Sequence, residues 1–177
     1  MKMNVCVFCS MYDVDAKYAE PAAEFGRGLA KNGHSLIWGG TDSGLMKVVS
    51  DAVKKNGGKI VGITMEDIRS TARADADELV VAKNLSERKR LMLERADAFV
   101  LLPGGIGSFD EITEILELKK HNLHDKRIVI LSTDGFYAGF NTQLERMRRE
   151  GFIAQPLETY LHFAETPDKA MDFLNGQ

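Results

Sequence analysis

Short apolar runs alternate along the whole chain with stretches whose apolar residues recur three and four positions apart. Residues 5–9, 35–38, 60–65, 78–81, 98–102, 127–131 and 160–163 read as strands. Between them, Tyr18, Ala22, Phe25 and Leu29 share one helical face, as do Leu45, Val48, Val49, Ala52 and Val53. A further row, Phe109, Ile112, Leu116 and Lys119, is widened by Ile115. Asn32-Gly33 and Asn56-Gly57-Gly58 supply helix stops where a left-handed residue is needed, and Pro167 opens a last helix containing Ala170, Met171 and Leu174. Strand and helix in strict alternation predict an α/β fold: a Rossmann-type, doubly wound, mostly parallel sheet of six or seven strands flanked by helices, built as one domain over residues 1–177.

Composition narrows the function. The chain has 177 residues, 44% hydrophobic and 28% charged, enough for one sizeable core. Its formal net charge of −3 argues against nucleic acid or an anionic membrane surface as a partner, because such binders carry a basic face. No apolar run approaches the ~20 residues needed to span a bilayer, and the first residues lead into a strand pattern without a signal-peptide core, so the expected location is cytoplasmic. Cys6 and Cys9 have redox-pair spacing, but a strand puts them on opposite faces, away from any helix N-terminus. His34, His121, His124 and His162 lack metal-ligand spacing, so no metal is implied.

Two glycine-rich turns carry the candidate chemistry. The run Ala98–Leu101 and Leu102 ends in Pro103-Gly104-Gly105-Ile106-Gly107-Ser108-Phe109-Asp110-Glu111 and passes straight into a helix. The first helical N–H groups have no intrahelical partner and the macrodipole adds roughly half a positive charge, so the turn can hold a phosphate without a basic side chain. Glu111 falls one helical turn past Ser108, which places a carboxylate beside that phosphate. The Ser108-x-x-Glu111 spacing is equally that of a capping box, and Ser108 suits either role. The other turn, Gly39-Gly40-Thr41-Asp42-Ser43-Gly44, departs from the dinucleotide fingerprint, and no triphosphate-binding glycine loop is present. In doubly wound sheets ligands bind at the carboxyl ends of strands where the order reverses, so both turns belong to one crevice. Asn84-Leu85-Ser86-Glu87-Arg88-Lys89-Arg90 crowds cations at a helix start, against the dipole, which fits either an anionic ligand facing Arg88 and Lys89 or a solvated surface run. Met46 could floor the pocket or fill the core.

Taken together, Gly39-Gly40, Gly44-Leu45-Met46, Arg88-Lys89, the P-G-G-x-G-[ST]-x-x-E run from Pro103 to Glu111 and His124-Asp125-Lys126 resemble the LONELY GUY (LOG) family over nearly the whole chain, with Arg88 23 positions before Glu111 as in that family. The resemblance implies a phosphoribohydrolase that cleaves cytokinin riboside 5′-monophosphates, and often AMP, to free base and ribose 5-phosphate without a cofactor, as a homodimer or larger assembly. By the same resemblance Arg88 and Glu111 are catalytic. Lys89, Gly104, Gly105, Ile106, Gly107, Ser108, Asp110, Gly40, Thr41, Gly44, Met46 and Glu117 contact substrate, chiefly its phosphate. Ser10-Met11 stands where members carry Gly-Ser, Thr41 and Lys47 where they carry glycine, and Glu117-Leu118 where many carry Thr-Trp beside the ligand; these changes narrow or recharge the rim. Related P-G-G-x-G-[ST] proteins resemble molybdenum-cofactor carriers, which makes a non-catalytic carrier the alternative.

Overall fold

The computed structural model describes residues 2–176. Strands β1 (Asn4–Phe8), β2 (Ser35–Trp38), β3 (Ile60–Met65), β4 (Glu78–Ala82), β5 (Ala98–Leu101), β6 (Arg127–Leu131) and β7 (His162–Ala164) form one sheet in the order β4-β3-β2-β1-β5-β6-β7. Every pairing is parallel. The chain winds outward from β1 to β4, returns to β5 beside β1, and winds outward the other way. The order therefore reverses between β1 and β5, where connections on both sides leave a crevice at the carboxyl edge.

Helices α1 (Ala16–Lys31), α2 (Gly44–Lys55) and α6 (Pro167–Asn175) cover one face, and α3 (Leu85–Arg95), α4 (Ile106–Lys120) and α5 (Ala138–Arg149) cover the other. Successive residues of β1 and β5 serve opposite layers, as the period of two requires: Val5, Val7, Ala98 and Val100 pack with Phe25, Leu29 and Val49, whereas Cys6, Phe8, Phe99 and Leu101 pack with Met92, Ile112 and Ile115. Cys6 and Cys9 consequently sit in different layers. Both are free and buried, and burial pushes both thiols above their usual range, which removes a redox pair from consideration. No helix of the described residues is long and apolar enough to cross a membrane.

Local chemistry follows the sequence closely on the first face. Asn32 and Asn56 end α1 and α2, with Gly33 and Gly57 left-handed at φ +73° and +77°. Pro167 sits in the first turn of α6 under the Thr166 cap. Gly26 is the contact point of α1 and α2: a Cβ there would lie 2.7 Å from the Val49 carbonyl oxygen and 2.9 Å from the Ala52 Cβ. The second face differs from expectation at its outer edge. The strand predicted over 160–163 lies at His162–Ala164, because Leu157–Thr159 turns in a 3-10 conformation that buries Leu157 and Leu161 against the layer. Helix α5 has Leu144 as its one buried residue, on a narrow apolar row of Phe140, Leu144 and Met147.

Candidate functional site

Arg88 and Glu111 meet at the switch point. Arg88 is the fourth residue of α3, whose start is capped by Asn84: its Oδ1 accepts the Glu87 N–H at 2.9 Å while the Glu87 carboxylate accepts the Lys83 N–H at 2.6 Å. That reciprocal cap begins the helix. The Arg88 side chain runs inward, donating from Nε to the Ile63 carbonyl at 2.8 Å and from Nη1 to Glu111 Oε1 at 3.1 Å. Both residues are only 7% exposed. Burial pushes the Glu111 carboxyl up to about 7, with the Arg88 charge pulling it back and Asp110 adding to the rise. These bonds use Nε, Nη1 and Oε1, leaving Arg88 Nη2 and Glu111 Oε2 for a ligand.

Space for those groups comes from Gly39, at the end of β2. A Cβ at Gly39 would collide with Arg88 Nη2 and approach the Met46 Cε to 3.0 Å. Gly39 thus belongs to the candidate site together with Gly40, and the Gly39-Gly40 pair is its signal in the sequence. Gly40 is left-handed at φ +82° and its carbonyl accepts the Arg73 N–H at 2.8 Å. Met46 is half-buried beside Gly39, and its N–H donates to the Ser10 carbonyl at 3.1 Å, which ties the β1 loop to α2. Gly44 is left-handed too, and its missing Cβ is what lets the backbone of Met11 and Tyr12 lie against it.

The phosphate-type turn is held from three sides. The Leu102 N–H donates to the Phe8 carbonyl at 2.9 Å, the Ser10 N–H donates to the Pro103 carbonyl at 3.2 Å, and the buried Tyr137 hydroxyl donates to the Leu102 carbonyl at 2.9 Å. Helix α4 then begins at Ile106 with Gly105 as its cap residue, and no side chain closes its end. The capping-box reading of Ser108 and Glu111 is thereby corrected: Ser108 is the third residue inside the helix, and Glu111 turns to Arg88 instead. Ser108 is buried against Gly104, where any Cβ would strike its Oγ. The N–H groups of Ile106, Gly107 and Ser108 are the unpaired donors of this helix end, one turn from Glu111.

Other predicted residues lie elsewhere. Lys89 does not aim at the turn; its Nζ bridges Asp110 and Glu114 on α4. Glu117 stands six residues beyond Glu111, roughly 9 Å along the helix and on another face, and its exposed carboxylate takes Lys120 and His121. The Thr41 side chain is buried, not on the rim, and its carbonyl accepts the Trp38 Nε1–H at 3.3 Å. Lys47 leaves the rim nearly neutral because Asp42 pairs with it at 2.9 Å. His124-Asp125-Lys126 is a brace: His124 Nε2 lies 2.9 Å from the Ile115 carbonyl of α4 and Lys126 Nζ donates to the Leu93 carbonyl of α3. An open concavity of about 960 Å3 near Ser132, His162 and Phe173 contains none of the predicted residues, and its Asp134 and Glu165 are already paired with Lys17 and Lys169.

Residues 46–174 match the family model described as possible lysine decarboxylase. The chain is 33% identical over 172 residues to a cytokinin riboside 5′-monophosphate phosphoribohydrolase of Mycobacterium marinum, covering 96% of this chain and 92% of that one. It is 36% identical over 153 residues to the protein of that name in Mycobacterium tuberculosis, covering 85% and 82%. A rice (Oryza sativa subsp. japonica) relative, cytokinin riboside 5′-monophosphate phosphoribohydrolase LOG, is 33% identical over 92% of this chain and 69% of its own length. Among solved structures, the molybdenum cofactor binding protein of Rippkaea orientalis superposes with a TM-score of 0.77 at 18% identity, covering 99% and 97% of the two chains. The molybdenum cofactor carrier protein of Chlamydomonas reinhardtii gives 0.72 at 22%, covering 99% and 98%. Those two likenesses establish a shared fold. Extent and identity of the sequence matches place the chain itself in the LOG family, the one whose model carries the lysine decarboxylase description.

Proposed function

We propose that this protein hydrolyses the N-glycosidic bond of nucleoside 5′-monophosphates, cytokinin riboside 5′-monophosphates and AMP among them, to free base and ribose 5-phosphate. The observation that carries the reading is the buried Arg88–Glu111 pair, with one oxygen and one nitrogen uncommitted, a helical turn from an open helix N-terminus. The 5′-phosphate sits on the N–H groups of Ile106, Gly107 and Ser108, with the Ser108 hydroxyl beside them. That puts C1′ near Glu111. Water adds its oxygen to C1′ as the C1′–N bond breaks, the bonding electrons leave with the base, and the proton released by water ends on the base nitrogen. Glu111, raised to about 7, accepts the water proton at neutral pH and stabilises the oxocarbenium-like charge. Arg88 offers Nη2 to the departing base while Nη1 keeps Glu111 aligned.

No step requires a cofactor. The carrier alternative has only a shared fold behind it, and a carrier has no use for a carboxylate poised to take a proton. We further propose a cytoplasmic homodimer or larger assembly: Ile106, Leu123 and Phe152 expose apolar side chains, and Phe152 adjoins Ile153 of a groove also lined by Leu116, Leu144 and Leu161. Light scattering at micromolar concentration should return at least twice the 19.7 kDa chain mass. For activity, the purified protein is incubated with AMP and with isopentenyladenosine 5′-monophosphate while free base and ribose 5-phosphate are followed. Release that disappears in Glu111→Gln and Arg88→Ala supports the proposal. Binding of both nucleotides with no release would hand the site to the carrier reading.

A further inference from the structure

Two ion pairs run side by side between α3 and α4. The inner one is Arg88–Glu111; the outer one joins the next residue on α3 to the preceding residue on α4, with Lys89 Nζ 3.1 Å from Asp110 Oδ2, 3.3 Å from its Oδ1 and also bound to Glu114. The Lys89 side chain is 14% exposed and its two carboxylate partners are partly exposed, which sets the bridge at the rim of the α3–α4 seam, and the Glu114 and Asp110 bonds hold its ammonium above the usual range. At their far ends the same helices are braced by Lys126 on Leu93 and His124 on Ile115. Their near ends, which face the crevice, have the inner and outer pairs. The inner pair ties the helices through a single hydrogen bond, Nη1 to Oε1, while Arg88 Nη2 and Glu111 Oε2 serve base and water, so the outer pair supplies the further ties that keep the register.

We propose that Lys89 is a positioning residue, which by bridging Asp110 and Glu114 locks α3 to α4 so that Arg88 and Glu111 stay in register while they act on the nucleotide. The inference rests on the phosphoribohydrolase reading. It replaces the phosphate-ligand role that sequence suggested for Lys89, since an ammonium shared between two carboxylates has little to give a third anion.

The test compares Lys89→Met, Lys89→Arg and the double variant Asp110→Asn/Glu114→Gln, measuring kcat and KM on AMP and calorimetric affinity for ribose 5-phosphate. A positioning role predicts that Lys89→Met and the double variant each lose about 10- to 100-fold in kcat. KM and ribose 5-phosphate affinity should change less than about threefold, and Lys89→Arg should recover most of the rate. A phosphate ligand behaves otherwise: Lys89→Met would weaken ribose 5-phosphate binding tenfold or more, and the double variant, by freeing the ammonium, would tighten it. That pattern overturns the proposal, as does wild-type kcat in all three variants. If the wild-type protein cleaves neither nucleotide, the hydrolase reading fails on its own, and the lock is then read from the carboxyl titration of Glu111 by 13C NMR. The charges facing Glu111 are Arg88 and Lys89 from α3 and Asp110 from its own helix, with the thiols Cys6 and Cys9 on the β1 side. Removing Asp110 charge alone would lower the midpoint, whereas loss of register with Arg88 raises it. Because charge loss alone predicts a fall, a midpoint that holds or rises in the double variant supports the lock and a fall refutes it.

Discussion

Two arginines are buried at the carboxyl edge of this sheet, and they differ in what their surroundings leave undone. Arg73, 8% exposed, bonds through Nε to Asp75, through Nη1 to Ser50 and Asp51, and through Nη2 to Asp75 again, with Asp42 at 3.8 Å. Its own N–H holds the Gly40 carbonyl, so it fastens the β2 turn, α2 and the segment before β4 together. Arg88 is as deeply buried, yet it meets one carboxylate through one contact and points a nitrogen into space that a missing Cβ keeps clear. A charge matched on all sides is part of the framework; one matched on a single side is prepared for a ligand.

The linkage signs are opposite as well. Burial pushes Asp51 up, but its hydrogen bond to Arg73 and the charge of that residue outweigh this and leave it below its usual value, so the group contributes stability above that value and loses it as pH falls. Glu111 is raised from 4.5 to about 7, so what it contributes is fullest below 4.5 and is lost as pH rises through 7. At neutral pH the site carboxylate works against the fold that the Arg73 cluster supports.

The sharpest way to break this comparison is to truncate each arginine. Arg88→Ala should cost about 10³-fold or more in kcat/KM on AMP. Arg73→Ala should instead lower stability by about 3–5 kcal/mol, seen as a drop of roughly 10 °C in Tm, with activity following the folded fraction. Equal loss of rate without loss of Tm in both would erase the distinction. Next in size, Gly39→Ala should lower kcat by about 10- to 100-fold, because the new methyl displaces Nη2; a calorimetric scan should find Tm nearly unchanged. The Glu111 linkage sharpens the comparison further: urea unfolding should show Glu111→Gln gaining roughly 2–3 kcal/mol relative to wild type between pH 5 and pH 8, while Asp51→Asn loses ground as pH rises from 3 to 5. A pH-independent difference in the first pair would place the Glu111 titration outside that window. The smallest effect belongs to Glu117→Thr, whose partners Lys120 and His121 are exposed; steady-state rates on AMP should move less than about threefold.

Much of this was legible in residue order alone. Seven strands announce themselves because each is a short apolar run between turn residues, and the β1/β5 crevice follows from two glycine turns at strand ends. The 23-residue spacing of Arg88 and Glu111 marks the pair because α3, β5 and α4 are consecutive and short. Several details were not legible. Serine three residues before glutamate reads as a cap whether the helix starts at Ser108 or two residues earlier, and only the backbone at Gly105 decides. A Lys next to the key arginine suggests an anion site until Asp110 and Glu114 are seen to claim it. Arg73 lies in a stretch without apolar periodicity, between a 3-10 turn (Glu66–Thr71) and β4, so its partners from α2 had no sequence signal.

The two cysteines, set aside as redox chemistry, acquire another use from their placement. Cys6 faces the layer that holds Arg88 and Glu111, and Cys9 the layer built on α1, α2 and α6. Neither thiol meets solvent unless its own layer opens, so labelling rates at the two positions are separate clocks for the two halves of the molecule. A nucleotide seated in the crevice, where Glu111 faces both thiols and the Cys9 backbone lies against Gly104, should slow both clocks, which makes this chain its own reporter of how far into each layer ligand binding tightens it.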